Sequence, residues 1–172
     1  MVMKIICWLI IPIFVVMSSA SNPMQNEEPA VMKGMTERHN YWRKKVGVKP
    51  LTWSNELANF AQKWANELAR RGCEMEHRPD GGKWDGSKYG ENIYWSSGMK
   101  NTPSNIVDDW ASEIEYFDEK TGKCKGGVCG HYTQLVWSTT TQVGCAMATC
   151  GDQEIWVCNY APPGNWVGQK PY

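Results

Sequence analysis

Cysteines constrain the fold of this 172-residue chain most strongly, because six of the seven follow an apolar N-terminal leader in the sequence. The leader joins Lys4, an apolar run from Ile5 to Met17 and small residues at 18–20, the pattern of a secretory signal peptide. The run is short for a membrane span, although a signal anchor is the alternative interpretation. Cys7 leaves with the leader, and an even number of cysteines remains. The sequence therefore predicts a secreted, extracellular protein stapled by disulfides.

Three segments follow from this interpretation. Residues 1–20 are the predicted signal peptide. Residues 21–30, SNPMQNEEPA, contain two prolines and no periodicity, and they predict a flexible N-terminal arm. Residues 31–172 are expected to form one domain with no transmembrane segment. Once Lys4 is removed, 17 of the 18 basic residues remain against 18 acidic ones, which argues against nucleic acid or an anionic membrane held by bulk charge.

Hydrophobic periodicity predicts three helices in the domain, at residues 31–46, 54–72 and 103–116. The middle helix has the clearest pattern, with Ser54 as its N-cap and Gly72 just beyond its C-terminal end. Its apolar stripe faces the core. The members of this stripe are Leu57, Ala61, Trp64 and Leu68.

A β-hairpin is predicted near the end of the chain. The runs QVGCAMATC and QEIWVCNY flank Gly151-Asp152, a dipeptide suited to a two-residue turn. With the turn there, Cys145 lies opposite Cys158 in a non-hydrogen-bonded pair, with about 4.5 Å between the Cα atoms, which is within disulfide range. Two of the other cysteines enclose only four residues and can close a local loop, which leaves the last two for each other. The predicted disulfides are Cys73–Cys150, Cys124–Cys129 and Cys145–Cys158.

The order of these elements, three helices and then a hairpin, predicts an α+β fold in which helices pack on a small antiparallel sheet.

Four polar side chains are candidates for a functional site: His77, His131, Glu91 and Glu113. Two histidines and two glutamates can form a divalent-metal site or an acid/base pair. Spacing alone does not join them, because there is no His-Glu-x-x-His motif and no two of them share a helix at ligand spacing. Nucleophilic hydrolysis has less support, since the run Ser138–Thr141 lacks a Gly-x-Ser-x-Gly motif and disulfides use every mature cysteine.

Four stretches together resemble one family. They are HNYWR at 39–43, GENI at 90–93, GHYTQLVW at 130–137 and VCNYAPPGNW at 157–166. On these motifs the chain is identified as a member of the CAP superfamily, which includes cysteine-rich secretory proteins, venom-allergen-like proteins and plant pathogenesis-related proteins of the first class. The similarity covers about residues 35–172, and the single-domain form is similar to the plant-type and venom-allergen-like members.

The resemblance implies a three-layer α–β–α sandwich with the three disulfides given above. It also implies a cavity where two histidines bind a divalent cation such as zinc and two glutamates act through water, with no obligatory cofactor. The residues that match are His77, His131, Glu91 and Glu113. His39, in the first motif, is expected to be structural.

Family membership does not fix an activity. The leading hypothesis is a secreted binding protein that carries a sterol or fatty acid, because nine tryptophans remain in the mature chain; alternatively, these residues simply fill the core. The second is a metal-dependent hydrolase, or protease, with Glu91 or Glu113 as general base. The third is an immunomodulator that binds an extracellular or host protein through loops 78–90 and 95–104.

Overall fold

A computed structural model describes residues 26–83 and 85–172, so the predicted signal peptide lies outside the described residues. The helices are α1 (Met35–Lys45), α2 (Asn55–Arg70), α3 (Pro103–Ser112) and α4 (Gly130–Leu135). The strands are β1 (Thr52–Trp53), β2 (Gly90–Ser97), β3 (Phe117–Asp118), β4 (Lys123–Cys124), β5 (Gln142–Cys150) and β6 (Gln153–Ala161). Short 3₁₀ turns occupy Ala30–Met32, Gly86–Lys88 and Glu113–Tyr116.

The three predicted helices are present, with revised ends. Helix α2 begins as predicted, because the Ser54 Oγ accepts a hydrogen bond from the Leu57 N–H at 3.3 Å. Helix α1 begins at Met35, later than predicted, since Gly34 adopts a left-handed conformation with φ +92°. Helix α3 ends at Ser112, and the 3₁₀ turn that follows begins with Glu113. Glu113 therefore lies beyond the helix on which the sequence placed it.

The main sheet has four strands in the order β1-β5-β6-β2. The predicted hairpin is confirmed in its exact register, with Cys145 opposite Cys158 and Cys150 opposite Gln153. Strand β2 runs antiparallel to β6 and forms one edge, and the two-residue strand β1 pairs parallel to β5 at the other. Strand β2 was not predicted, because its apolar residues form too short a pattern without the partner strand.

Helices cover both faces of this sheet, which confirms the three-layer α–β–α sandwich. Helix α2 packs on one face with Ile93, Ala146, Ile155 and Val157. Helices α1, α3 and α4 pack on the opposite face of the sheet. Successive side chains of β5 and β6 point to the two faces in turn, so every second one points to these helices. The residues on that second face include Val143, Cys145, Trp156, Cys158 and Tyr160.

Helix α2 lies very close to β5 at Gly144. A Cβ atom at this position would lie 2.3 Å from the Ala58 backbone nitrogen and 2.4 Å from the Ser54 carbonyl oxygen. Only glycine leaves room for the helix backbone here. The first turn of α2 is therefore seated directly on the strand.

All three predicted disulfides are present. Their Cα–Cα distances are 4.1 Å across the hairpin at Cys145–Cys158, 6.0 Å at Cys73–Cys150 and 5.7 Å at Cys124–Cys129. The second bond ties the segment after α2 to the end of β5. The third closes a short loop directly before α4.

Residues 21–25 of the predicted N-terminal arm lie outside the described part of the chain. Further along the arm, the Glu28 carboxylate accepts hydrogen bonds from the Gly34 N–H at 2.7 Å and the Thr36 N–H at 2.5 Å. These N–H groups belong to the start of α1, whose N-cap residue has no side chain. Glu28 thus caps the helix from outside it.

Arg43 is a fully buried cation that joins α1 to the chain around α4. Its Nη1 donates to the carbonyl oxygens of Leu135 and Trp137 at 3.0 and 2.9 Å, and Nη2 donates to that of Thr140 at 2.9 Å. Its Nε donates to the Lys49 carbonyl oxygen at 2.8 Å. Burial lowers the pKa of Arg43 to about 10, so the guanidinium stays charged at neutral pH.

Within residues 26–83 and 85–172, none of the helices has the length and apolar character that crossing a membrane requires.

Candidate functional site

His131 and Glu113 form one of two histidine–glutamate pairs. The His131 Nδ1 lies 2.6 Å from Glu113 Oε1, and Oε2 of the same carboxylate accepts the His131 and Tyr132 backbone N–H groups at 2.9 and 3.2 Å. The carboxylate thus lies at the start of α4, where N–H groups lack partners within the helix. His131 is 27% and Glu113 16% exposed, so the pair is half-buried.

Two further residues fix the position of His131. The Trp110 ring on α3 stacks against its imidazole, with 6.2 Å between ring centroids and 13° between planes. The same indole donates to the Ile93 carbonyl oxygen of β2 at 3.2 Å. Asn92 Nδ2, also on β2, donates to the His131 carbonyl oxygen at 3.1 Å. The imidazole is therefore held against both α3 and β2.

His77 and Glu91 form the second pair. The His77 Nδ1 lies 2.9 Å from Glu91 Oε1, which also accepts the Arg78 backbone N–H at 3.0 Å. Asn159 Nδ2 lies 3.4 Å from Glu91 Oε2, across the strand pair. The hydrogen bond to Glu91 raises the pKa of His77, because the carboxylate favours the protonated ring. This histidine is 65% exposed, whereas its glutamate is only 9% exposed.

Both pairs contact the start of β2, the edge strand of the sheet, through two consecutive residues. Glu91 and Asn92 are consecutive residues of one strand, so their side chains point to opposite faces. Glu91 holds His77 on the α2 face, and Asn92 holds the His131 backbone on the other. Within the described residues, no three His, Cys, Asp or Glu side chains form a group that could hold a metal ion. The four predicted site residues are therefore joined as two pairs.

The residues that hold these pairs were missed by sequence reasoning, although a simple signal was present. Arg78 follows His77, and Asn92 follows Glu91, so both are direct neighbours of predicted site residues. Burial and the Glu113 carboxylate raise the pKa of Asp109, a further acidic group near His131. The stacking of Trp110 on His131 depends on how α3 and α4 pack, so the local sequence does not reveal it.

The third histidine, His39, lies in the core and is structural in this fold. It is fully buried, and its Nδ1 donates to the Met35 carbonyl oxygen at 2.8 Å. Its Nε2 accepts from the Tyr160 hydroxyl at 2.9 Å, and that hydroxyl accepts from Asn92 Nδ2 at 3.2 Å. Because Asn92 also donates to the His131 carbonyl oxygen, this network joins the core to the candidate site.

We expect His39 to make the protein less stable in acid. Burial lowers its pKa from 6.5 to about 4, so the unfolded chain binds the extra proton between these two values. The stability from neutral His39 is present above pH 6.5 and falls by about 3 kcal/mol as the pH drops to about 4. Urea unfolding at both pH values should show this loss in the native protein and not in His39→Gln. Equal losses in both proteins would contradict the assignment.

Tryptophans contribute mainly to the core. Five of them are at most 5% exposed: Trp53, Trp64, Trp110, Trp137 and Trp156. Trp95 and Trp166 are 42% and 54% exposed. Much of the aromatic content that motivated lipid binding is thus used for packing.

Comparison with known proteins identifies the family. The model of the cysteine-rich secretory protein family, CAP, matches residues 36–160. Pathogenesis-related protein PR-1 of Medicago truncatula is 41% identical over 136 residues, which cover 77% of this chain and 74% of the relative. Pathogenesis-related protein 1B of Nicotiana tabacum is 38% identical over 162 residues, which cover 93% and 89% of the two chains.

Solved structures show the same fold. Venom allergen-like protein 4 of Schistosoma mansoni aligns with a TM-score of 0.64 and 26% identity over 84% of this chain and 95% of its own. NaASP2, whose structure was solved with Zn²⁺, aligns with a TM-score of 0.67 and 25% identity over 87% of this chain and 88% of its own. The motifs, the sandwich, the disulfides and these matches agree, and the chain belongs to the CAP family of cysteine-rich secretory proteins, with plant PR-1 proteins among its relatives.

Proposed function

We propose that the protein is an extracellular binding protein of the PR-1 type that holds one divalent cation between His77 and His131. The observation that carries this proposal is the pairing of each Nδ1 with a glutamate. A metal-binding histidine commonly donates its other ring N–H to a carboxylate, which fixes the tautomer and makes the free nitrogen more basic. Both pairs have this arrangement.

The donor atoms suit zinc or a similar cation. Neither Nε2 has a hydrogen-bond partner among residues 26–83 and 85–172, so both lone pairs are available. Two imidazoles and water are ligands that zinc accepts. Glu91 and Glu113 would orient the rings by accepting hydrogen bonds from their Nδ1–H groups, and they would act on the ion through water. When bound, the cation would polarise that water.

Titration of the secreted protein with Zn²⁺ by calorimetry tests this proposal. We expect one ion per chain, loss of that binding in both His77→Ala and His131→Ala, and affinity about 10–100-fold weaker in Glu91→Gln and Glu113→Gln. Glu76→Gln is the matched control, because Glu76 is exposed and pairs with Arg71 rather than with a histidine. Affinity should also fall in acid, since protons compete for both rings.

The stoichiometry decides whether the two histidines share the ion. Two independent ions, each lost with only one histidine, would show separate sites and overturn the shared cation. Binding that survives the double variant would remove the site altogether. Incubating the zinc-loaded protein with a peptide library addresses the hydrolase alternative, because cleavage that disappears in the double variant would favour it.

Lipid carriage and recognition of an extracellular protein stay predictions. The exposed side chains of Trp95 and Met99, at the β2 end of the predicted 95–104 loop, offer apolar surface for either. Residues 95–97 belong to β2, so this surface is partly strand rather than loop.

A further inference from the structure

The outer face of α2 borders a groove of about 580 Å³ whose lining is rich in cations. Lys63 and Arg70 come from the helix, and Arg78 and Lys83 come from the segment that follows. Among the described residues of this lining, Glu67 is the one carboxylate. Positive charge is thus concentrated here in a chain whose formal net charge is zero. A cleft lined by one sign of charge concentrates ligands of the opposite sign.

Glu67 offsets only part of this charge, because one carboxylate is shared between two arginines. Its Oε1 accepts from Arg70 Nη2 at 2.7 Å and from Arg71 Nε at 2.8 Å, while Oε2 accepts from Arg70 Nε at 3.0 Å. These hydrogen bonds hold the pKa of Glu67 at about 2. Arg71 brings a further positive charge to the carboxylate, so the region around the groove keeps an excess of cations.

Arg78 places a fixed charge in the wall of the groove. Its side chain is only 3% exposed, and its guanidinium lies 3.6 Å from the centre of the Phe60 ring. Its Nη2 donates to the Phe60 carbonyl oxygen. The nearest carboxylate in an ion pair with it, that of Glu91, is 4.0 Å away. A partly desolvated guanidinium attracts an anion more strongly than a fully hydrated one does.

The helix supplies polar groups in a row along the groove. Lys63, Asn66 and Arg70 lie three and four residues apart, so they share one face of α2 over about 10 Å. Asn66 Oδ1 accepts from Gln62 Nε2, and the Asn66 amide N–H groups have no acceptor within hydrogen-bond distance among the described residues. Cations and an amide in one concave row suit a ligand that carries both acidic and hydroxyl groups.

We propose that this groove binds an acidic polysaccharide, a chain of sugars that carry carboxylate or sulfate groups. The acidic groups would pair with Lys63, Arg70 and Lys83, and the sugar hydroxyls would bond to Asn66. Phe60 is the one aromatic residue among the described residues of the lining, and the Arg78 guanidinium occupies one face of its ring, so that face cannot stack on a base. An acidic sugar chain is therefore favoured over nucleic acid.

Binding of an oligogalacturonate to the secreted protein tests the proposal, with a neutral maltodextrin as the comparison ligand. We expect calorimetry to show saturable binding of the acidic chain alone. Lys63→Glu and Arg70→Gln should each weaken it by about tenfold or more, as loss of a charge-assisted contact does. Binding should also weaken when added salt shortens the Debye length from about 30 to about 8 Å.

Lys44→Glu is the matched control, because it changes the net charge as Lys63→Glu does but at an exposed position on α1. Equal losses in these two variants would show that bulk charge attracts the polysaccharide, and they would contradict binding in the groove. Unchanged binding in Lys63→Glu would also contradict it. If anionic phospholipid vesicles or single-stranded DNA bind more tightly than the oligogalacturonate, the groove is a site for that ligand and the polysaccharide proposal is wrong. The double variant His77→Ala/His131→Ala should keep full affinity, which separates this groove from the proposed cation site.

Discussion

Replacing Arg43 with methionine is expected to lower the free energy of unfolding by about 3–5 kcal/mol, the range for removing one partner of a buried charged network. The guanidinium has no exposed surface and donates to four carbonyl oxygens. Methionine fills much of the space but donates no hydrogen bond. Three of those oxygens belong to residues 135–140, so the turn between α4 and β5 would lose its attachment to α1.

Urea unfolding of the oxidised protein measures this effect, with Arg38→Met as the matched control on the same helix. Arg38 pairs with Asp108 at 2.6 Å, but these side chains are 30% and 38% exposed. A pair so exposed contributes about 0–1 kcal/mol. Arg43→Lys should fall between the two, since an ammonium has three donors and no planar fork. Similar losses in Arg43→Met and Arg38→Met would contradict the structural role of Arg43.

Removing the bond between Cys73 and Cys150, by changing both to serine, should cost about 4–5 kcal/mol in the chain-entropy model. The two cysteines are 77 residues apart, so the bond restricts a long loop of the unfolded chain. It also ties α2 to the sheet at the end where the hairpin turns. We expect a large drop in the thermal unfolding midpoint, with the other two bonds intact.

The bond between Cys124 and Cys129 is the internal control. Its cysteines are only 5 residues apart, and the same model gives about 2 kcal/mol for so short a loop. Thermal unfolding of the two double-serine variants, each checked by mass spectrometry for its remaining bonds, compares the two costs. An equal or larger loss from the short loop would show that loop length does not govern disulfide stabilisation in this protein.

The parts of the fold that follow from neighbouring residues could be predicted from the sequence. The Gly151-Asp152 turn fixed the hairpin register, and that register placed Cys145 opposite Cys158. Ser54 and Gly72 marked the ends of α2 because caps act on adjacent backbone groups. Strand β2 depends on contact with β6, far along the chain, and local patterns do not contain that information.

The candidate site was predictable only in part. Residue spacing did not connect His77, Glu91, Glu113 and His131, and the resemblance to a family supplied the connection. The pairing of each histidine with one glutamate depends on how α4 and the segment after α2 approach β2. Trp110 stacks on His131 through a contact between distant elements, so no local motif indicates it, whereas Asn92 lies in the GENI motif beside Glu91.

The position of Glu91 and Asn92 on an edge strand makes the site sensitive to errors in strand alignment. Strand β5 is locked to β6 by a covalent bond, whereas β2 is held by backbone pairing and side-chain contacts. A shift of β2 by one residue would turn each side chain to the opposite face. Glu91 would leave His77, and Asn92 would leave the His131 carbonyl oxygen. A chain with correct disulfides and a misaligned β2 strand could therefore migrate as a folded protein in a gel assay. It would still lack the contacts of Glu91 with His77 and of Asn92 with His131.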